Sequence, residues 1–155
     1  MLYNYIMSLK QTSVLVGRIA LFVIYFWFGI LKVIGLSPAS GMVTELFGKT
    51  ITPMMDMMHI SFMSPSIFVI LFGLFEIIIA ILFIIPEKER LATYAFAFHM
   101  IATTLPLFFL KASVWSQILV PTLEGQYVIK NIALIACVLN ILSIARQKEP
   151  EPVTI

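Results

Sequence analysis

"IFVILFGLFEIIIAILFII", residues 67–85, sets one carboxylate, Glu76, into a run otherwise made of apolar residues and a glycine. A stretch of about 20 such residues is what one helix needs to cross the hydrocarbon core of a bilayer. An ionisable side chain inside that core is costly, so it is paired or lines a functional path. The fold therefore turns on how many more such spans the chain holds, and the chemistry on what holds Glu76.

Outward from this stretch the whole chain has the same character. Of its 155 residues, 61% are hydrophobic and 12% charged, with a mean hydropathy of +1.03, whereas soluble domains carry roughly 25% charged residues. Three further spans read from the sequence: 13–35, 91–110 and 126–145, flanking 64–85. Lipid-exposed backbone must bond internally, so the expectation is an all-α integral membrane four-helix bundle. It forms one domain over residues 1–145, with a long non-cytoplasmic loop (36–63) between helices 1 and 2 and a disordered tail at 146–155. The first span reads as a retained helix rather than a cleaved leader. Lys10, Lys88, Arg90, Arg146 and Lys148 lie on the side shared by both termini, against Lys49 and Lys111 opposite. By the positive-inside rule this places both termini in the cytoplasm and the protein in the inner membrane. A net charge of +2 gives no footprint for nucleic acid, and the lone Cys137 excludes an internal disulfide or a CxxC pair.

Residues three, four and seven apart share a helix face. One polar and small stripe appears on each span: Arg18, Tyr25, Gly29 and Lys32; Gly73, Glu76 and Ala80; Ala92, Ala95, His99, Thr103 and Pro106; Gln126, Lys130, Ala133, Cys137 and Asn140. Small residues let helices approach and polar ones bond across the contact, so all four stripes are expected to face the bundle interior. At about 1.5 Å per residue, Glu76 and His99 both lie roughly 13 Å in from the cytoplasmic ends and Arg18 roughly 8 Å in. Arg18, Glu76, His99 and Asn140 form the expected intramembrane cluster, with Tyr25, Lys32 and Lys130 as a polar stripe nearer the outer side. Such a cluster either fixes helix register or acts as a proton relay and anchor for a ligand head group.

Two metal-bearing readings have less support. "MMDMMHISFM", 54–63, is rich in thioethers that suit Cu(I), but it lacks the repeated spacing of copper carriers and reads better as an amphipathic interfacial segment. No metal site is expected. Haem on His99 is disfavoured because the second histidine, His59, is loop-borne.

The ordered set "GRIALFVIYFWFGILKVIG" (Arg18, Trp27, Gly29, Lys32), "FGLFEIIIAILFI" (Glu76), "FHMIATTLPLFFL" (His99) and "PTLEGQYVIKNIALIA" (Gly125, Lys130) resembles the DoxX-like family of small four-helix membrane proteins. The resemblance carries over Arg18, Gly29, Lys32, Glu76, His99, Gly125 and Lys130. It implies a fold and a membrane location more than a reaction, since similar proteins are linked to quinone-coupled sulfur oxidation, thiol and oxidative stress, reactive chlorine resistance and receptor assembly. Three readings follow. One is an accessory subunit of a membrane redox or stress-defence system, binding a quinone-like or lipid ligand near the cluster and taking electrons from a partner oxidoreductase. In that reading it lacks a redox centre of its own, because one cysteine cannot perform dithiol exchange and no cofactor motif appears, so an accessory subunit is expected rather than a stand-alone enzyme. Another is a membrane assembly factor or chaperone with a client membrane protein. The last is a small proton-coupled carrier, for which four helices without a repeat offer little machinery. Membrane lipid is a partner in all three, and the small-residue faces allow a homodimer.

Overall fold

Ser64 and Pro65 start the most apolar helix of the chain for a local reason. The Ser64 hydroxyl accepts the Ile67 amide, and proline at the first helical position gives up an N–H that has no partner there anyway. In the computed structural model, which describes residues 2–61 and 63–146, this helix is α3 (Pro65–Ile84). It is preceded by α1 (Leu2–Val33) and α2 (Ser40–Met57) and followed by α4 (Glu89–Thr104) and two single turns, α5 (Pro106–Phe109) and α6 (Lys111–Val114). A small antiparallel hairpin, β1 (Trp115–Gln117) with β2 (Val120–Pro121), leads into α7 (Leu123–Arg146).

Among the described residues four stretches are long and apolar enough to span a membrane: Met7–Val33, Pro65–Ile84, Glu89–Phe109 and Leu123–Ala145. They belong to α1, α3, α4 with α5, and α7. Neighbours pack in a closed ring, α1 on α3, α3 on α4, α4 on α7 and α7 on α1. The core inside the ring is Leu21, Tyr25, Ile79, Phe83, Phe96, Met100, Val138 and Ile141 with the small Ala80 and Ala92. The outer surface is greasy, with Val23, Trp27, Ile78, Phe98, Ile101 and Ile132 all exposed, which is the arrangement a lipid solvent requires.

The closest helix pair is α1 on α3, and glycine makes it so. A Cβ added to Gly29 would stand 2.7 Å from the Gly73 carbonyl oxygen, and one added to Gly73 would stand 2.7 Å from the Gly29 oxygen and from Lys32 Cβ. Backbones touch there, as small residues permit in membranes, and the contact sets the register of the antiparallel pair.

The sequence expectation differs from the structure in several places. Residues 36–63 are no plain loop: α2 occupies most of them and buries Val43, Phe47 and Met55. These sit at helical spacing on one face, so α2 folds across the end of the bundle. The 111–125 connection likewise carries α6 and the hairpin. Thr122 caps α7 by accepting the Gly125 amide while its hydroxyl donates to the Ser113 carbonyl. Helix α1 begins well before residue 13, and the third span breaks at Leu105–Pro106, where proline supplies no amide for the ladder. The tail at 147–155 lies outside the described residues.

Candidate functional site

Glu76 is 5% exposed and holds two partners. Lys32 Nζ of α1 donates to its Oε2 at 2.6 Å, and His99 Nε2 of α4 meets its Oε1 at 2.9 Å. On the other edge of the imidazole, Nδ1 stands 3.2 Å from the Tyr25 hydroxyl, back on α1. A carboxylate facing an ammonium only accepts, so Nε2 carries the imidazole hydrogen, and Nδ1 accepts from the Tyr25 O–H. The result is a four-membered chain, Tyr25 to His99 to Glu76 to Lys32, drawn from three helices and buried throughout.

Aromatic rings enclose it. Phe72 stacks on His99 with centroids 4.9 Å apart and planes at 23°, and the same ring lies 5.9 Å below the Lys32 ammonium. Tyr25 meets the imidazole edge-on at 5.1 Å. Phe72 thus shields both cationic and titratable members of the chain, with a cation–π contribution at the lysine.

The pairing of Glu76 with Lys32, not Arg18, follows from side-chain direction. In a helix every Cβ tilts toward the N-terminus. Because α1 and α3 run antiparallel, Lys32 leans back toward the middle of the bundle and Glu76 leans toward Lys32. Arg18, about two turns further from the Gly29–Gly73 contact than the level of Glu76, leans in the same direction as Lys32, which at its position is away from Glu76 and toward the end of the bundle that bears the α3–α4 turn. There its Nε donates to the Phe83 carbonyl at 2.7 Å and one terminal nitrogen to the Ile85 carbonyl at 2.9 Å, while the other pairs with Glu89 at 3.0 Å. Those carbonyls are the unpaired end of α3, where a cation is favoured. Depth counted from the span ends puts Arg18 near Glu76 and Lys32 far from it; the register set where Gly29 meets Gly73, together with the tilts, pairs Lys32 instead.

Asn140 is exposed on α7, away from the cluster; beyond the helix ladder its backbone carbonyl accepts the Ser143 hydroxyl, and its side-chain amide has no partner among the described residues. Lys130 is exposed as well, its ammonium 5.6 Å from the Tyr127 ring centroid. The inward face of α7 is instead Val128, Asn131, Leu134, Val138 and Ile141. A helix with an asparagine on each face gives no pattern from which to tell inside from outside, and so Asn131 was missed.

Asn131 belongs to a second feature. A cavity of about 400 Å³ lies beneath α2, walled by Val43, Phe47, Phe68, Phe72, Thr103 and Asn131 among others. Its volume is in the range of small-molecule sites, and the mixture of apolar walls with a few polar groups is typical of them. Asn131 Nδ2 donates to Thr103 Oγ1 at 3.4 Å, and the Thr103 hydroxyl in turn donates to the His99 carbonyl at 3.0 Å. Phe72 and Thr103 therefore border both the cavity and the histidine.

A family model described as DoxX matches residues 13–111, more than half of the chain. The matched stretch includes Tyr25, Lys32, Glu76 and His99 and ends before α7 begins. No curated protein and no solved structure matches.

Proposed function

The chain belongs to the DoxX family of membrane proteins, and from that membership we propose that it binds a quinone-like, amphipathic ligand in the cavity under α2, as an accessory subunit of a membrane redox or stress-defence system. One observation carries the reading: Phe72 both lines the cavity and stacks on His99, so a planar ring bound there lies against the wall that the buried proton-bearing chain backs. Asn131 and Thr103 offer amide and hydroxyl groups to a ring oxygen. The Tyr25–His99–Glu76–Lys32 chain can take up or hand on a proton by hydroxyl and imidazole hydrogens shifting along bonds already made. Electrons enter from a partner protein, since the single cysteine offers no dithiol couple.

The test uses protein purified in a mild detergent. Mass spectrometry of its organic extract should show a quinone in stoichiometric amount, and a short-tailed ubiquinone analogue should rebind to stripped protein. Ala102→Phe, a substitution at a cavity-lining residue outside the polar chain, should abolish rebinding while the protein stays folded. An extract with phospholipid alone, together with no rebinding, would sink the reading. A client-binding assembly role has one observation of its own, the exposed Met54, Met57, Met58 and Ile60 at the end of α2, a soft apolar surface suited to adaptable contacts. Under it, replacing residues 54–60 abolishes recovery of a client and Ala102→Phe does nothing.

A further inference from the structure

Helix α7 buries Val128, Val138 and Ile141 against the rest of the bundle. Its opposite side carries Gln126, Ile129, Ala133, Ala136, Asn140 and Ser143, every one of them exposed. Their spacing is 3, 4, 3, 4, 3, which is the a and d pattern of a left-handed helix pair. Gln126, Ala133 and Asn140 are the a positions; Ile129, Ala136 and Ser143 are the d positions. The Asn140 amide has no hydrogen-bond partner among the described residues. All six lie within the span Leu123–Ala145, where the only alternative to protein contact is lipid, and an unpaired amide in hydrocarbon is costly.

We infer that this face is the interface with a second copy of the same chain, packed α7 against α7. The choice of occupant rests on polar self-complementarity. Two copies inserted with the same topology pair in parallel about an axis normal to the membrane, so each a residue meets its own copy at the same depth. An amide is both donor and acceptor and bonds well to itself; a charge does not. The seam holds amides, small side chains and the apolar Ile129, and no charge; the nearest cation, Lys130, falls at a flanking e position. Alanines at 133 and 136 let the backbones approach, as small residues do in membrane pairs, and one asparagine at an a position sets register.

The test is cross-linking in native membranes in a Cys137→Ser background. Ala133→Cys should give an oxidised product of twice the 17.5 kDa chain mass in most of the protein, and Ile135→Cys, on another face of α7, at least tenfold less. Asn140→Leu should reduce the Ala133→Cys product severalfold and Asn140→Gln should retain it. Equal product from Ala133→Cys and Ile135→Cys overturns the interface. So does a product of any other mass, which would place a different protein on this face.

Discussion

Lys32 and Glu76 offer the sharpest check on how this bundle is held together. Their Nζ and Oε2 atoms stand 2.6 Å apart, with 5% and 6% of the two side chains exposed. At an effective dielectric constant of about 20, unit charges at that distance attract by roughly 6 kcal/mol. Desolvation costs several kcal/mol per ion, so the intact pair contributes little net stability, yet deleting one partner leaves a buried charge uncompensated at about 3–5 kcal/mol. Lys32→Met, which keeps the stem packed on Phe72, and Glu76→Gln should each lose that amount. The double variant strands neither charge and should lose only about 0–2 kcal/mol. Reversible unfolding of the purified protein in mixed micelles, followed by circular dichroism, measures all four corners of the cycle. Losses that simply add in the double variant, to about 6–10 kcal/mol or to outright unfolding, would show that the two charges do not stabilise each other and refute the reasoning.

Three further outcomes are expected. Arg18→Ala strips the end of α3 of its clamp and should cost about 1–3 kcal/mol; because it shares no partner with Glu76, its loss should add to that of Glu76→Gln within about 0.5 kcal/mol, in the same unfolding assay. Gly73→Ala drives a methyl group against the Gly29 backbone and the Lys32 stem and should cost about 1–3 kcal/mol, seen as a lower Tm with the helical signal intact. Glu45 on α2 accepts hydrogen bonds from Lys49 and from Ser113, and these hold its carboxyl below the usual range, the lysine contributing most. A lowered folded-state value means that this contribution to docking α2 is complete above the ordinary carboxylate range and disappears as pH falls through the lowered value. Hydrogen-exchange protection of α2 should therefore fall between about pH 6 and pH 3, and Glu45→Gln should show the reduced protection at both.

Much of the site was within reach of the sequence, and the failures have physical causes. Glu76 and His99 were recognisable as partners because both are ionisable, both are far from either end of their spans, and adjacent antiparallel helices bring equal depths together. Arg18 was misassigned because the tip of a long side chain can end far from the depth of its Cα, in a direction set by helix polarity. Helix α2 had a signal in Val43, Phe47, Thr50 and Met54, spaced three or four apart, but Gly48 and Pro53 within it read as breakers.

What the sequence determined by itself is the membrane architecture. Hydropathy adds residue by residue along a span, and the bilayer fixes the length required, so four crossings and an intramembrane carboxylate needing a partner were settled before any contact was known. Only the tertiary structure decided which cation meets Glu76, since that depends on the register imposed where Gly29 and Gly73 touch and on the opposed tilts of two antiparallel helices. It alone decided which face of α7 turns inward, because amides stand on both sides of that helix, Asn131 on one and Gln126 and Asn140 on the other, and packing against α1 and α4 selects between them. And it alone placed α2 over the bundle end, closing a cavity whose walls come from segments far apart in the chain.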